Sequence, residues 1–151
     1  MNSVQLQNFI DHHPCLKKYV RGVYAINTLP EYVTIYPSAY IVNTDPIPLP
    51  GEHWVLIIIH SPYRSEFFDS LGHSAAYYGF HEFIHRNSTH VRCIEKQLQS
   101  NESDFCGLYV LFCLIMLFCN GFSLVEVYRT FTNDVKLNDH IVYNFMFEYF
   151  N

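Results

Sequence analysis

The sequence predicts an α+β domain, a central mixed β-sheet flanked by helices, and three observations lead to that class. The run His53 to His60 (HWVLIIIH) is continuously apolar and β-branched, the pattern of a strand covered on both faces. The segment Leu108 to Cys119 (LYVLFCLIMLFC) is wholly apolar, as a helix buried at the centre of a domain is. Half of the 151 residues are hydrophobic and only 15% are charged, which excludes disorder and suits one domain with a sizeable core.

The elements follow in order. Residues Val4 to Tyr19 form an opening helix bent or broken at Pro14, and Ser38 to Asn43 (SAYIVN) reads as a strand. Pro46, Pro48, Pro50 and Gly51 then make a connection, since proline donates no backbone hydrogen bond to a sheet. After the strand that starts at His53, Ser61-Pro62-Tyr63-Arg64 is a turn and Ser65 to Asp69 its hairpin partner, ended by Ser70-Leu71-Gly72. A helix over Ser74 to Arg86 and a short strand over His90 to Glu95 come next. The polar loop Gln97 to Phe105 leads into the apolar helix from Cys106, which Gly121 closes. Ser123 caps a further helix with Glu126 as its capping-box partner, and a last helix covers Leu137 to Tyr149.

Composition narrows the function. The net charge is −5 and the nine basic residues are scattered, whereas nucleic-acid binders concentrate theirs in a patch. Five cysteines, odd in number and without a CxxC pair, argue against a disulfide framework or a zinc ribbon. The first residues lack the order of a secretory signal, so a reducing, intracellular setting is the expectation. The apolar segment at 108–119 is shorter than the roughly 20 residues a bilayer needs, so no membrane span is expected.

One constellation carries chemistry. Cys106 sits where polar loop becomes apolar helix, so it falls in the first helical turn, with Ser103 or Asp104 as the cap. Helix N-termini favour a thiolate and offer a backbone N–H to an oxyanion. Gly107 beside it allows close approach. His53 opens the central strand and Asp69 ends its hairpin partner. A pairing sum of about 122–124 sets the two residues near one edge, within carboxylate–imidazole reach. A thiol, an imidazole and a carboxylate that fixes its tautomer are the parts of a cysteine protease.

These residues carry a resemblance. Gly51-Glu52-His53-Trp54, then Phe68-Asp69-Ser70-Leu71-Gly72, then Gln99 with Cys106-Gly107-Leu108-Tyr109, together resemble the adenovirus maturation protease (adenain) family. That family shares a clan with the SUMO-specific proteases. The likeness begins at Ala39 to Thr44 (AYIVNT) and runs to about residue 122. It implies a papain-like fold with the cysteine at the N-terminus of a buried helix. It implies Cys106 as nucleophile, His53 as general base, Asp69 as orienting acid and Gln99 as oxyanion-hole glutamine, with Gln97 a rival and Trp54 packed beside the imidazole. Substrates would be viral capsid or core precursor proteins, cut at glycine-containing sites in the host nucleus and virion. The chain departs from the adenoviral enzymes in having Asp69 where they have Glu, as SUMO-specific proteases and the proteases of adintovirus- or Polinton-like elements do. It also lacks their longer C-terminal region. The family is stimulated by DNA, which the acidic composition disfavours, and by a small peptide through a cysteine. Arg92-Cys93-Ile94 resembles that neighbourhood, although a buried strand cysteine is the simpler reading of Cys93.

Other readings compete. A SUMO- or ubiquitin-like-specific isopeptidase shares the same machinery, and a non-catalytic module descended from a protease shares the same fold. His81-Glu82-Phe83-Ile84-His85 matches H-E-x-x-H, whose histidines share a helix face and bind zinc when a third ligand joins them. With nine histidines in the chain an accidental match is the better reading of that motif.

Overall fold

The structure, a computed structural model, describes residues 1–47, 49 and 53–150. Pro48, Pro50, Gly51 and Glu52, part of the proline connection and of the motif ahead of His53, lie outside them.

Chain order is α1 (Ser3–Asp11), α2 (Pro14–Tyr19), β1 (Val20–Ala25), β2 (Ser38–Asn43), β3 (Trp54–Ser61), β4 (Arg64–Phe68), α3 (Ala75–Tyr78), α4 (His81–Asn87), β5 (His90–Cys93), α5 (Cys106–Leu114), a π-helical turn (Ile115–Cys119), α6 (Leu124–Arg129) and α7 (Val135–Phe150). The five strands lie side by side in sequence order. The two central pairings are antiparallel and the two outer ones, β1 with β2 and β4 with β5, are parallel. The fold is thus α+β with a mixed five-stranded sheet flanked by helices.

Strand β3 organises the core. Side chains alternate across a strand, so Trp54, Leu56 and Ile58 face one hydrophobic cluster while Val55, Ile57 and Ile59 face another. The first cluster is built around α5, whose Tyr109, Val110, Leu111, Cys113 and Leu114 are wholly buried. A helix apolar all round therefore lies at the centre of the molecule. The second cluster packs Phe80, Phe83 and Ile84 under the opposite face. Among the described residues no helix is long and apolar enough to cross a membrane.

Several expectations need correction. The helix expected over 74–86 is two, because Gly79 takes a left-handed φ of +91° and turns Phe80 into the lower core. Strand β1 was not anticipated. Its partner β2 lies parallel to it and beyond a long connection, so no local turn announces the pairing. Neither Ser103 nor Asp104 caps α5; its N-cap is Phe105, with no side-chain cap. Cys15 is disulfide-bonded to Cys119, tying α2 to the end of the π-helical turn, so the odd cysteine count did not mean an absence of bridges. Elsewhere the local signals hold. Pro14 starts α2, Gly121 (φ +73°) follows the π-helical turn, and Ser123 with Glu126 forms a capping box on α6.

Candidate active site

The β3–β4 hairpin runs in the register Leu56 opposite Phe68, Ile57 opposite Phe67 and Ile58 opposite Glu66, a constant sum of 124. The chain just before β3 therefore meets the chain just after β4. There His53 Nε2 lies 2.5 Å from Asp69 Oδ1. Both residues are buried, His53 with 7% of its surface exposed and Asp69 with 2%.

Asp69 is held on every side. Its Oδ1 also accepts from Leu71 N (2.9 Å), while Oδ2 accepts from His73 N (3.0 Å) and from the Tyr78 hydroxyl (2.7 Å). The tight turn after β4 makes this possible. Gly72 has φ +85°, and a Cβ there would lie 2.6 Å from Gln97 N, so only glycine fits. The same turn aligns the Gln99 loop. Ser70 O accepts from Leu98 N and Gln99 N, and the Ser70 hydroxyl donates to Gln99 Oε1 at 2.6 Å. From the other side, the Tyr109 hydroxyl donates to Asp139 Oδ1 (2.8 Å) and Asn138 Nδ2 donates to Leu98 O (3.1 Å). Helices α5 and α7 thus clamp the loop.

Cys106, 8% exposed, begins α5 and is hydrogen-bonded to His53. Because Nε2 faces Asp69, Nδ1 is the nitrogen left for the thiol. Burial alone raises the Cys106 thiol, but hydrogen bonds from His53 and from the backbone of Trp54, then the His53 charge and the Gly107 backbone, bring it below its ordinary value. Burial alone lowers His53, yet the hydrogen bonds to Asp69 and Cys106 outweigh it and push the imidazole up to about 9. Asp69, which burial raises, is brought down by His53 and Tyr78. The three shifts favour one charge state, a thiolate beside an imidazolium held by a carboxylate.

A cleft of about 380 Å³ opens onto these groups, lined by His53, Trp54, Gln99 and Cys106 with Met1 and Leu71 among its walls. Gln99 Nε2 donates to Ser103 O at 2.9 Å and keeps a second N–H for the cleft. Gln97, the rival glutamine, donates to Gln99 O and Asn101 Oδ1 and does not line the cleft. The four residues singled out in sequence, His53, Asp69, Gln99 and Cys106, therefore come together.

Two participants escaped the sequence reading. Tyr78, on the short α3, closes over Asp69 and sets its ring 5.9 Å from that of His53. No motif marks it; only the split of the 74–86 helix brings it there. Met1 accepts a hydrogen bond from the Trp54 indole at 2.9 Å and lies against Gly107, where an added Cβ would come 3.1 Å from Met1 Cβ. Trp54 is thus turned towards Met1 as well as lining the cleft.

Two other motifs fall elsewhere. His81, Glu82 and His85 are exposed on α4, and among the described residues no three or more His, Cys, Asp or Glu side chains are grouped to hold a metal. Cys93 ends the edge strand β5 as a half-buried free thiol, which burial raises above its ordinary value. The chain matches no protein-family model and no curated protein, so the reading of its chemistry rests on the placement of these side chains.

Proposed function

We propose that the protein is a cysteine endopeptidase of papain-like fold that cuts viral capsid or core precursor proteins during particle maturation, acting in the host nucleus and virion. One observation carries the chemistry: Cys106 at the start of a buried helix shares a cleft with His53, whose imidazole has the Asp69 carboxylate 2.5 Å behind it. The kind of substrate comes from the sequence motifs around His53, Asp69, Gln99 and Cys106.

The Cys106 thiolate attacks a peptide carbonyl carbon, forming a C–S bond and placing the electron pair on oxygen. The second N–H of Gln99 and the Cys106 backbone N–H are the donors available to that oxyanion. Collapse breaks the C–N bond as His53 Nδ1 delivers its proton to the leaving amine. His53, now neutral, takes a proton from water, which attacks the thioester and releases the carboxylic acid. Asp69 keeps the imidazole oriented throughout and is not itself protonated. A peptide activator acting through Cys93 fits this reading as an addition outside the chemistry, and no cofactor enters any step.

The test is cleavage of the virus's precursor proteins by wild type and by Cys106→Ala. Wild type should cut them and Cys106→Ala should not. Iodoacetamide should modify Cys106 much faster at neutral pH than a model thiol. Cleavage that survives Cys106→Ala but is abolished by a chelator would replace the thiol mechanism with a metal one. Release of ubiquitin-like conjugates with precursors left intact would redirect the substrate to isopeptide bonds.

A further inference from the structure

The face of the sheet under α5 changes character along its length. Near the cleft it carries Trp54, Leu56, Ile58 and Phe68. At the far end the same rows continue as His60, Arg64, Glu66, His90 and Arg92, because residues two apart share a face. The parallel register sets Arg64 beside His90 and Glu66 beside Arg92. An irregularity between Ile59 and Ser61 in the hairpin redirects His60, whose Nε2 meets Glu66 Oε1 at 2.6 Å. These five side chains floor a pocket of about 360 Å³.

The roof is of the opposite kind. Leu117 and Phe118, from the π-helical turn, and Phe122 just after it line the same pocket. A π-helical turn is rare and is frequently found at functional sites. Here its effect is to hold an apolar wall over a cationic floor.

Charge accounting defines the occupant. Glu66, 9% exposed, is engaged by His60. Arg64 and Arg92 have no ion pair and no side-chain hydrogen bond among the described residues. Two guanidiniums with His90 beside them therefore line a concave site whose one carboxylate, Glu66, is taken by His60 and pairs with neither arginine, in a chain whose net charge is −5. Guanidinium forks match planar or tetrahedral oxyanions in two-point geometry. We infer that this pocket, at the end of the hairpin opposite His53 and Asp69, binds a ligand that presents a carboxylate or phosphate to Arg64 and Arg92 and an apolar body to Leu117, Phe118 and Phe122.

Calorimetric titration of the full chain at constant ionic strength tests this with four probes: phenyl phosphate, phenylacetate, inorganic phosphate and benzyl alcohol. At least one aromatic anion should bind saturably, at least threefold tighter than inorganic phosphate, while benzyl alcohol gives no binding heat. The preferred aromatic anion identifies the source as phosphoester or carboxylate. The double variant Arg64→Gln/Arg92→Gln, both exposed positions, should weaken it at least tenfold at an unchanged melting temperature. Absence of saturable binding by either aromatic anion overturns the inference, as does binding the double variant leaves intact. Inorganic phosphate binding as tightly as phenyl phosphate would overturn the apolar half of it. Because Cys106 takes no part, the outcome is independent of whether the chain hydrolyses peptides.

Discussion

The β3–β4 hairpin carries a histidine–carboxylate pair at each end, and the two pairs are nearly alike in length. His53 meets Asp69 at 2.5 Å and His60 meets Glu66 at 2.6 Å. What surrounds them differs. Asp69 takes three further donors from Leu71, His73 and Tyr78, and its histidine faces a thiol at a helix start. The His60 side chain is 21% exposed and shares its pocket with two arginines and, among the described residues, no thiol. An imidazole on a carboxylate is therefore an ingredient. The neighbouring thiol and the fixing of the carboxylate are what the proposed acyl transfer needs in addition, and only the His53 end has them.

Substitutions at the two ends should separate them. His53→Ala should cost roughly 10²–10⁴-fold in precursor cleavage, the usual worth of a general acid–base group. His60→Ala should show instead in stability, lowering the urea midpoint by the equivalent of ~1–3 kcal/mol, because Glu66 is left without its partner. Equal loss of cleavage from both would erase the distinction.

Gln99→Ala should lower kcat by about 10²-fold, as removal of an oxyanion donor does, whereas Gln97→Ala should stay within several-fold of wild type. The ratio of the two rates measures which glutamine serves the cleft.

The pH profile probes the active pair itself. His53 is raised from its ordinary 6.5 to about 9, so the imidazolium, and the stability it contributes, is fully present below about 6.5 and is lost as pH rises through about 9. Cleavage should fall on the alkaline side near that value, and on the acid side as the thiolate of Cys106 takes up a proton. Tyr78→Phe removes a donor that holds Asp69 down, so Asp69 should take up its proton at a higher pH in an NMR titration of its carboxyl, with kcat reduced several-fold and KM little changed. A purely structural tyrosine would move stability and leave that titration in place.

The smallest effect is expected at Tyr109→Phe. It deprives buried Asp139 of a hydrogen bond and should cost ~1–3 kcal/mol in urea unfolding, with a secondary loss of rate as the Gln99 loop loosens.

The sequence revealed this arrangement unevenly, for physical reasons. The central strand, its hairpin and the buried helix were legible because a continuous β-branched run, a turn and all-round apolarity are local signals, and a pairing sum of about 122–124 set His53 near Asp69. The capping box of Ser123 and Glu126 was equally local. Strand β1 was hidden because its pairing with β2 crosses a long connection and half its residues are only partly buried. Tyr78 was hidden because its role depends on a chain reversal at Gly79 that helical periodicity does not encode. The Cys15–Cys119 bond joins positions 104 apart in sequence, a pairing that neither cysteine count nor spacing specifies.

That bond has a practical outcome should the chain cut peptides as proposed. It closes a covalent ring that holds all five strands and His53, Asp69, Gln99 and Cys106. A single cut anywhere between Cys15 and Cys119 leaves both fragments joined. Self-digestion at such a bond would pass unseen on a gel run without reductant and appear as two bands once thiol is added.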